Sequence, residues 1–236
     1  MSESKQKKPA LERFMTPLGV LVFPKLNTPD EYKGKKTWQA PLRVNREEAA
    51  ALLEKYDAAY DAAWEEAQAQ AQERLDNAKT GAEKQKAKKA LEALSQAAKA
   101  YEVVLDDDGE ETDEVILRIK MNAEVEKDGK VRSLKPDFFD AKGKPLKTVP
   151  QIRGGTKVYI SGQFNPYNST TGVGVSLRLN ALQIIELSNG GSRDASAYGF
   201  GAQDGGFSAD DVEEEEGTFP DRSGGDGSGT QDPDDF

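Results

Sequence analysis

Lys157, Tyr159, Phe164 and Tyr167 fall in one stretch and the loop after it, Arg178 falls in the next, and Arg118 and Lys120 alternate along a third. Residues of these types at these spacings can hold a nucleic-acid strand. Cations set along a groove neutralise phosphates, and flat rings stack bases without choosing among them, at roughly 1 to 3 kcal/mol per base. Other chemistry is sparsely supplied. The chain has no His and no Cys, which excludes Ser-His-Asp and Cys-His nucleophiles, disulfides and the usual zinc ligand sets. Residues 106 to 114 (DDDGEETDE) hold seven carboxylates, but without EF-hand spacing; carboxylates crowded on one turn read as a solvated hairpin tip. A two-metal nuclease needs them to converge from separate strands. Gly154-Gly155-Thr156-Lys157 lacks the spacing of a phosphate-binding loop, with Lys after Thr. No enzymatic activity, metal or cofactor is expected.

Strands must position the cations and rings. In Val115 to Val125, Val115, Leu117, Ile119, Met121, Ala123 and Val125 share one parity, and Ile116, Arg118, Lys120 and Asn122 share the other. One face of that strand is core and the other presents cations. Trp38, Ala40, Leu42 and Val44 alternate with Thr37, Gln39, Pro41 and Arg43, which places Trp38 in the core. Val158 and Ile160 alternate with Lys157, Tyr159 and Ser161, and Val173, Val175, Leu177 and Leu179 with Gly174, Ser176, Arg178 and Asn180. A further strand is expected over Val131 to Phe139. The segment Asn165-Pro166-Tyr167-Asn168 reads as a loop that holds Tyr167 exposed.

Residues 46 to 100 contain 18 alanines and no proline, a strong helix composition. Asn45 with Glu48, and Thr80 with Glu83, give two N-terminal capping signatures, so a long helix, a turn near Lys79 to Gly81 and a second helix over Ala82 to Ala100 are expected. Stripes at Leu52, Tyr56, Tyr60, Trp64, Ala67 and Ala71, and at Ala87, Leu91, Leu94, Ala98 and Tyr101, read as packing faces. Five or six strands around one helical block, with glycines at sharp bends, predict a mainly β fold: an OB-type barrel with an inserted helical hairpin.

The formal charge of -10 is unevenly distributed. From Asp194 to Phe236 there are 13 acidic residues and one basic one, whereas residues 1 to 193 carry 31 basic and 29 acidic. The predicted organisation is therefore a barrel domain over 1–193, with the helical segment at 46–100, and a disordered acidic tail over 194–236. The polar N-terminus has no apolar run typical of a secretory signal, and no stretch approaches the length of a membrane span. A soluble, cytoplasmic protein is expected. The residues alone leave three readings open: a single-stranded DNA-binding barrel, an RNA-binding barrel, and a protein-interaction adaptor whose working parts are the helices and the tail.

One stretch goes further. Val149 to Val158 (VPQIRGGTKV), then Asn165-Pro166-Tyr167, then Thr171 to Leu179 (TGVGVSLRL), resembles the C-terminal barrel strands of the single-stranded DNA-binding proteins of podovirus-type tailed phages. The strand Trp38 to Val44 leading into an Ala-rich helix is similar as well, as is an acidic tail ending in Phe236. The resemblance implies an OB-fold that binds single-stranded DNA without sequence preference during phage DNA replication, recombination and repair in the cytoplasm of the infected host. It implies a homodimer, and a tail whose end, here Asp232, Asp234, Asp235 and Phe236, competes with DNA and recruits the replicative DNA polymerase and the primase-helicase. Tyr167 matches an aromatic implicated in DNA contact, Lys35 lies near the family's early basic position, and Arg153 sits in the matched Gly-Gly stretch. The Trp that the family pattern has just after the Tyr is replaced here by Asn168-Ser169, which turns attention to Tyr159 and Phe164 as stacking platforms. The second helix has no clear family counterpart.

Overall fold

The computed structural model describes residues 11–127 and 129–188. The tail residues Asp232, Asp234, Asp235 and Phe236 therefore lie outside the described residues, as does the whole segment expected to be disordered. The described chain runs β1 (Arg13–Met15), β2 (Gly19–Leu21), β3 (Lys25–Tyr32), β4 (Lys35–Asn45), α1 (Ala50–Asp76), α2 (Gly81–Glu92), β5 (Tyr101–Leu105) and β6 (Glu111–Asn122). It continues with β7 (Glu124–Lys127), β8 (Lys130–Ser133), β9 (Asp137–Phe139), β10 (Lys157–Ser169) and β11 (Gly172–Glu186).

β2, β4, β6, β11 and β10 pair in that order, and β10 pairs again with β2, so the sheet closes into a five-stranded barrel. All pairs in the ring are antiparallel except β6 with β11, which run parallel and meet at Leu177 with Ile119 and Arg178 with Lys120. Period-two patterning fills the interior. Trp38, Ala40, Leu42 and Val44 from β4, Val115, Leu117, Ile119 and Met121 from β6, and Val175, Leu177 and Leu179 from β11 are all buried. On β11 the inward parity then changes to Leu182 and Ile184. Leu179 lies opposite Gly162 and Ala181 opposite Ser161, so Asn180 is an extra residue, a bulge that turns the strand.

The long helix α1 packs on β10 and β11, burying Leu52, Tyr56, Tyr60, Ala63, Ala67 and Ala71. Its spacing follows the expected stripe, with Trp64 half-buried beside it. Asn45 does not cap α1 directly. It ends β4, and its Oδ1 accepts the N–H groups of Glu47 and Glu48 at 2.9 and 3.2 Å, forming a turn from which the helix starts at Ala50. The second signature forms as expected: Thr80 Oγ1 accepts from Glu83 N–H, and the Glu83 carboxylate accepts from Thr80 N–H. Those bonds hold the Glu83 carboxyl below its ordinary pKa.

Three expectations are corrected. The second helix ends at Glu92, not Ala100, and buries no residue; it packs on the neighbouring α1, and its stripe residues Ala87 and Leu91 stay half-buried. Residues 94 to 100 instead leave the helix, with a bridge between Gln96 and Val173, and Tyr101 begins a strand. The strand expected over Val131 to Phe139 is two short ones, β8 paired with β7 and β9 paired with β11, interrupted at Leu134-Lys135-Pro136, where Pro has no N–H to donate. The acidic run is shorter as a loop than expected, since β6 already starts at Glu111. Its tip is a hairpin in which Asp106 Oδ1 accepts the N–H groups of Asp108 and Glu110.

Candidate nucleic-acid interface

Strand register determines which polar side chains share the outside of the barrel. Gln39 on β4 lies opposite Lys120 on β6, Lys120 beside Arg178 on β11, and Arg178 opposite Gln163 on β10. This row crosses four strands. Next to it, Asn165 faces Ser176, and on β6 the outward positions Arg118 and Asn122 flank Lys120. Two adjoining clefts follow. The larger, of about 860 Å³, is lined by Lys35, Arg118, Lys120 and Tyr167 together with residues 97 to 100, and the smaller, of about 290 Å³, by Lys120, Leu134 and Arg178. Asn122, Asn165 and Ser176 line both, so the two form one continuous groove.

The groove is electropositive because most of its cations are uncompensated. Among the described residues no carboxylate lines either cleft, and Lys35, Lys120 and Arg178 have no acidic partner. Arg118 is partly engaged: its guanidinium lies 3.4 Å from Glu102 and donates to the Lys99 carbonyl. Two outward cations elsewhere on the barrel are paired, Arg43 with Glu114 at 3.7 Å and Lys157 with Glu186 at 2.8 Å. An unpaired cation keeps its full attraction for a phosphate.

One wall of the larger cleft is a strap, residues 95 to 100, laid into the seam where β6 and β11 part. Val173 N–H donates to the Ser95 carbonyl and Ala97 N–H to the Val173 carbonyl, both at 2.8 Å, and Arg118 N–H donates to the Ala100 carbonyl at 2.8 Å. The remaining gap is bridged by a side chain. Tyr56 Oη donates to the Val175 carbonyl and accepts from Ala100 N–H, each at 2.8 Å. Tyr60 donates to the Ala97 carbonyl one helical turn away. Gly172 lets the strap come this close: its φ is +112°, and a Cβ there would sit 2.8 Å from Ala97 N. Burial pushes the Tyr56 hydroxyl pKa up to about 12 and raises those of Tyr60 and Tyr101. Lys99, in the strap, is held protonated by its 2.8 Å bond to Asp57, so it contributes less free charge than its position suggests.

Tyr167 is the aromatic of the groove. It is half-buried on β10 rather than exposed on a loop, because β10 runs on through Asn165-Pro166 to Ser169. Pro166 is tolerated there for a positional reason. Phe164 N–H donates to Glu12 on the side away from β11, and Pro166, two residues later, points its missing donor to that same edge beyond the start of β1. Opposite Tyr167 stands Gly174, where an added Cβ would lie 3.1 Å from the Tyr167 hydroxyl. The absence of a side chain lets the ring lie against the sheet.

Five of the nine predicted site residues thus converge: Lys35, Arg118, Lys120, Tyr167 and Arg178. Phe164 is corrected to core. It is 2 % exposed and packs between Phe14 and Tyr56, with ring centroids 5.2 and 6.2 Å away. Its parity with Val158 and Ile160 already points inward. Tyr159 sits at the other end of β10, against Met15 and Phe139, and Lys157 beside it is neutralised by Glu186. Arg153 lies in the turn before β10, next to β2, and lines neither cleft. The sequence reading missed the amide and hydroxyl side chains of Asn122, Asn165 and Ser176, although their outward parity was available. It also missed the strap, which its helical composition disguised.

A closed five-stranded barrel with a helix across β10 and β11 and a cationic groove on its outer face defines an OB-type binding protein. The family profile described as single-stranded DNA-binding protein of bacteriophage T7 matches residues 16–187, and the chain belongs to that family. A single-stranded DNA-binding protein of Enterobacteria phage T3 is 33% identical over 72 residues, which are 30% of this chain and 31% of that relative. The chain thus matches about a third of that relative's length. The crystal structure of gp2.5, a single-stranded DNA-binding protein encoded by bacteriophage T7, shares the fold with a TM-score of 0.61 at 17% identity, covering 85% of this chain and 100% of that one. The single-stranded DNA-binding protein of bacteriophage Enc34, in complex with single-stranded DNA, has a TM-score of 0.48 at 13% identity, covering 79% and 99%.

Proposed function

We propose that this protein binds single-stranded DNA without sequence preference, along the groove over β4, β6, β11 and β10. The observation that carries the reading is the convergence of Lys35, Lys120 and Arg178, without an acidic partner among the described residues, in clefts that no described carboxylate lines, beside the Tyr167 ring. Phosphates lie along the cations, and a base stacks on Tyr167. Asn122, Asn165 and Ser176 offer hydrogen bonds to sugar or phosphate oxygens. The protein holds the strand without cleaving it, and it acts in phage DNA replication, recombination and repair inside the infected host cell. The acidic segment 194–236 competes with DNA for the groove and, through Asp232, Asp234, Asp235 and Phe236, recruits the replicative DNA polymerase and the primase-helicase; the working unit is a homodimer.

Fluorescence titration with poly-dT, on the full chain and on one ending at Arg193, tests this reading. Both chains bind, the shorter one more tightly. Absence of binding by both at low salt refutes the groove, and equal affinity refutes the competing tail. A matched RNA oligomer that competes as well as DNA makes the groove indifferent to the sugar.

A further inference from the structure

We infer that Tyr32, at the tip of the β3–β4 hairpin, is a second base-stacking platform at the rim of the groove. The inference rests on the single-stranded DNA reading above and extends the site beyond the two clefts. The tip is a two-residue turn, Lys33-Gly34, with both φ values positive at 50° and 73°. That turn geometry fixes strand register: Tyr32 pairs with Lys35 and Glu31 with Lys36. Directly paired residues show their side chains on the same face. Lys35 shares the outward parity of Thr37 and Gln39 and lines the larger cleft. Tyr32 therefore stands one strand beyond Lys35, on the groove side of the hairpin.

The ring is built for contact. It is 68 % exposed, with the Lys33 ammonium 5.2 Å from its centroid and Lys35 beside it, an aromatic bracketed by two cations. The nearby carboxylates are turned away or occupied. Glu31 belongs to the pair of opposite parity, and Asp30 accepts from Gln39 Nε2 at 2.9 Å. A strand leaving the larger cleft past Lys35 meets this ring, and its next base stacks there while Lys33 meets the following phosphate.

The test is anisotropy of a labelled oligo-dT with wild-type protein, Tyr32→Ala and Tyr32→Phe, each over a salt series. Tyr32→Ala weakens binding about fivefold or more, Tyr32→Phe binds like wild type, and the dependence of log K on log salt keeps its slope, because a stacked base displaces no counterions. No loss in Tyr32→Ala, an equal loss in Tyr32→Phe, or a shallower slope in Tyr32→Ala overturns the platform. Failure of the wild-type chain to bind at low salt overturns instead the reading on which the platform rests.

Discussion

The Tyr56 hydroxyl holds the cleft wall in place, and replacing Tyr56 with Phe removes that hydroxyl alone. The ring stays, still packed 5.4 Å from Tyr101, 6.1 Å from Tyr60 and 6.2 Å from Phe164, so no cavity opens. Two backbone groups lose their partners, the Val175 carbonyl and the Ala100 N–H. A buried polar group left unsatisfied costs about 1 to 3 kcal/mol. Ala100 is only half-buried, so water recovers part of its share, and the sum is about 2 to 4 kcal/mol. With a urea m-value of about 2 kcal/mol/M, the unfolding midpoint falls by about 1 to 2 M at unchanged m. The pH dependence is a second readout. An unfolded tyrosine ionises near pH 10 and Tyr56 in the fold near 12. Between those values the unfolded chain binds fewer protons than the folded one, so stability falls as pH rises. Tyr56→Phe removes this contribution to the alkaline slope. A midpoint shift below about 0.3 M in urea, with the alkaline slope intact, refutes the bridging role.

Substituting Lys35, Lys120 and Arg178 together by Ala makes the slope of log K against log salt for oligo-dT shallower by about 2, at roughly 0.7 per phosphate contact; an unchanged slope places the phosphates elsewhere. Tyr167→Ala weakens oligo-dT binding by roughly 1 to 3 kcal/mol, measured by titration, with little change in the urea midpoint. Phe164→Ala does the reverse: it removes about 3 to 5 kcal/mol of stability, measured by urea unfolding, and whatever protein remains folded binds oligo-dT with wild-type affinity.

Legibility of this fold in the sequence divides along the range of the interactions involved. Alternation on β4, β6 and β11 is a local property, so the core face, Trp38 inside, and the outward Arg118, Lys120 and Arg178 were readable directly. So was the Thr80 to Glu83 capping box, which involves one turn of chain. Phe164 was readable too, since it shares the inward parity of Val158 and Ile160. Residues 94 to 100 were not readable as non-helical, because Ala and Lys there favour helix locally and the tertiary bonds to Val173, Tyr56 and Arg118 pull them into the seam. Convergence of the groove residues required the register across four strands, which no local pattern carries; Lys157 and Tyr159 share a strand with Tyr167 and still end far from it along β10.

The parallel joint between β6 and β11 is short, meeting only at Leu177 and Arg178, while β4 accompanies β6 from Thr37 to Asn45. A short ladder opens more readily than a long one. Amide hydrogen exchange at Ala97, Ala100 and Arg118, whose N–H groups close that seam, is therefore faster than at the β4 and β6 amides between Leu42 and Val115. A strand lying over Lys120 and Arg178 spans the joint from outside. Bound DNA thus slows exchange at the seam more than along the β4–β6 ladder, and the protein is stiffened at a joint that its own strand pairing holds at only two positions.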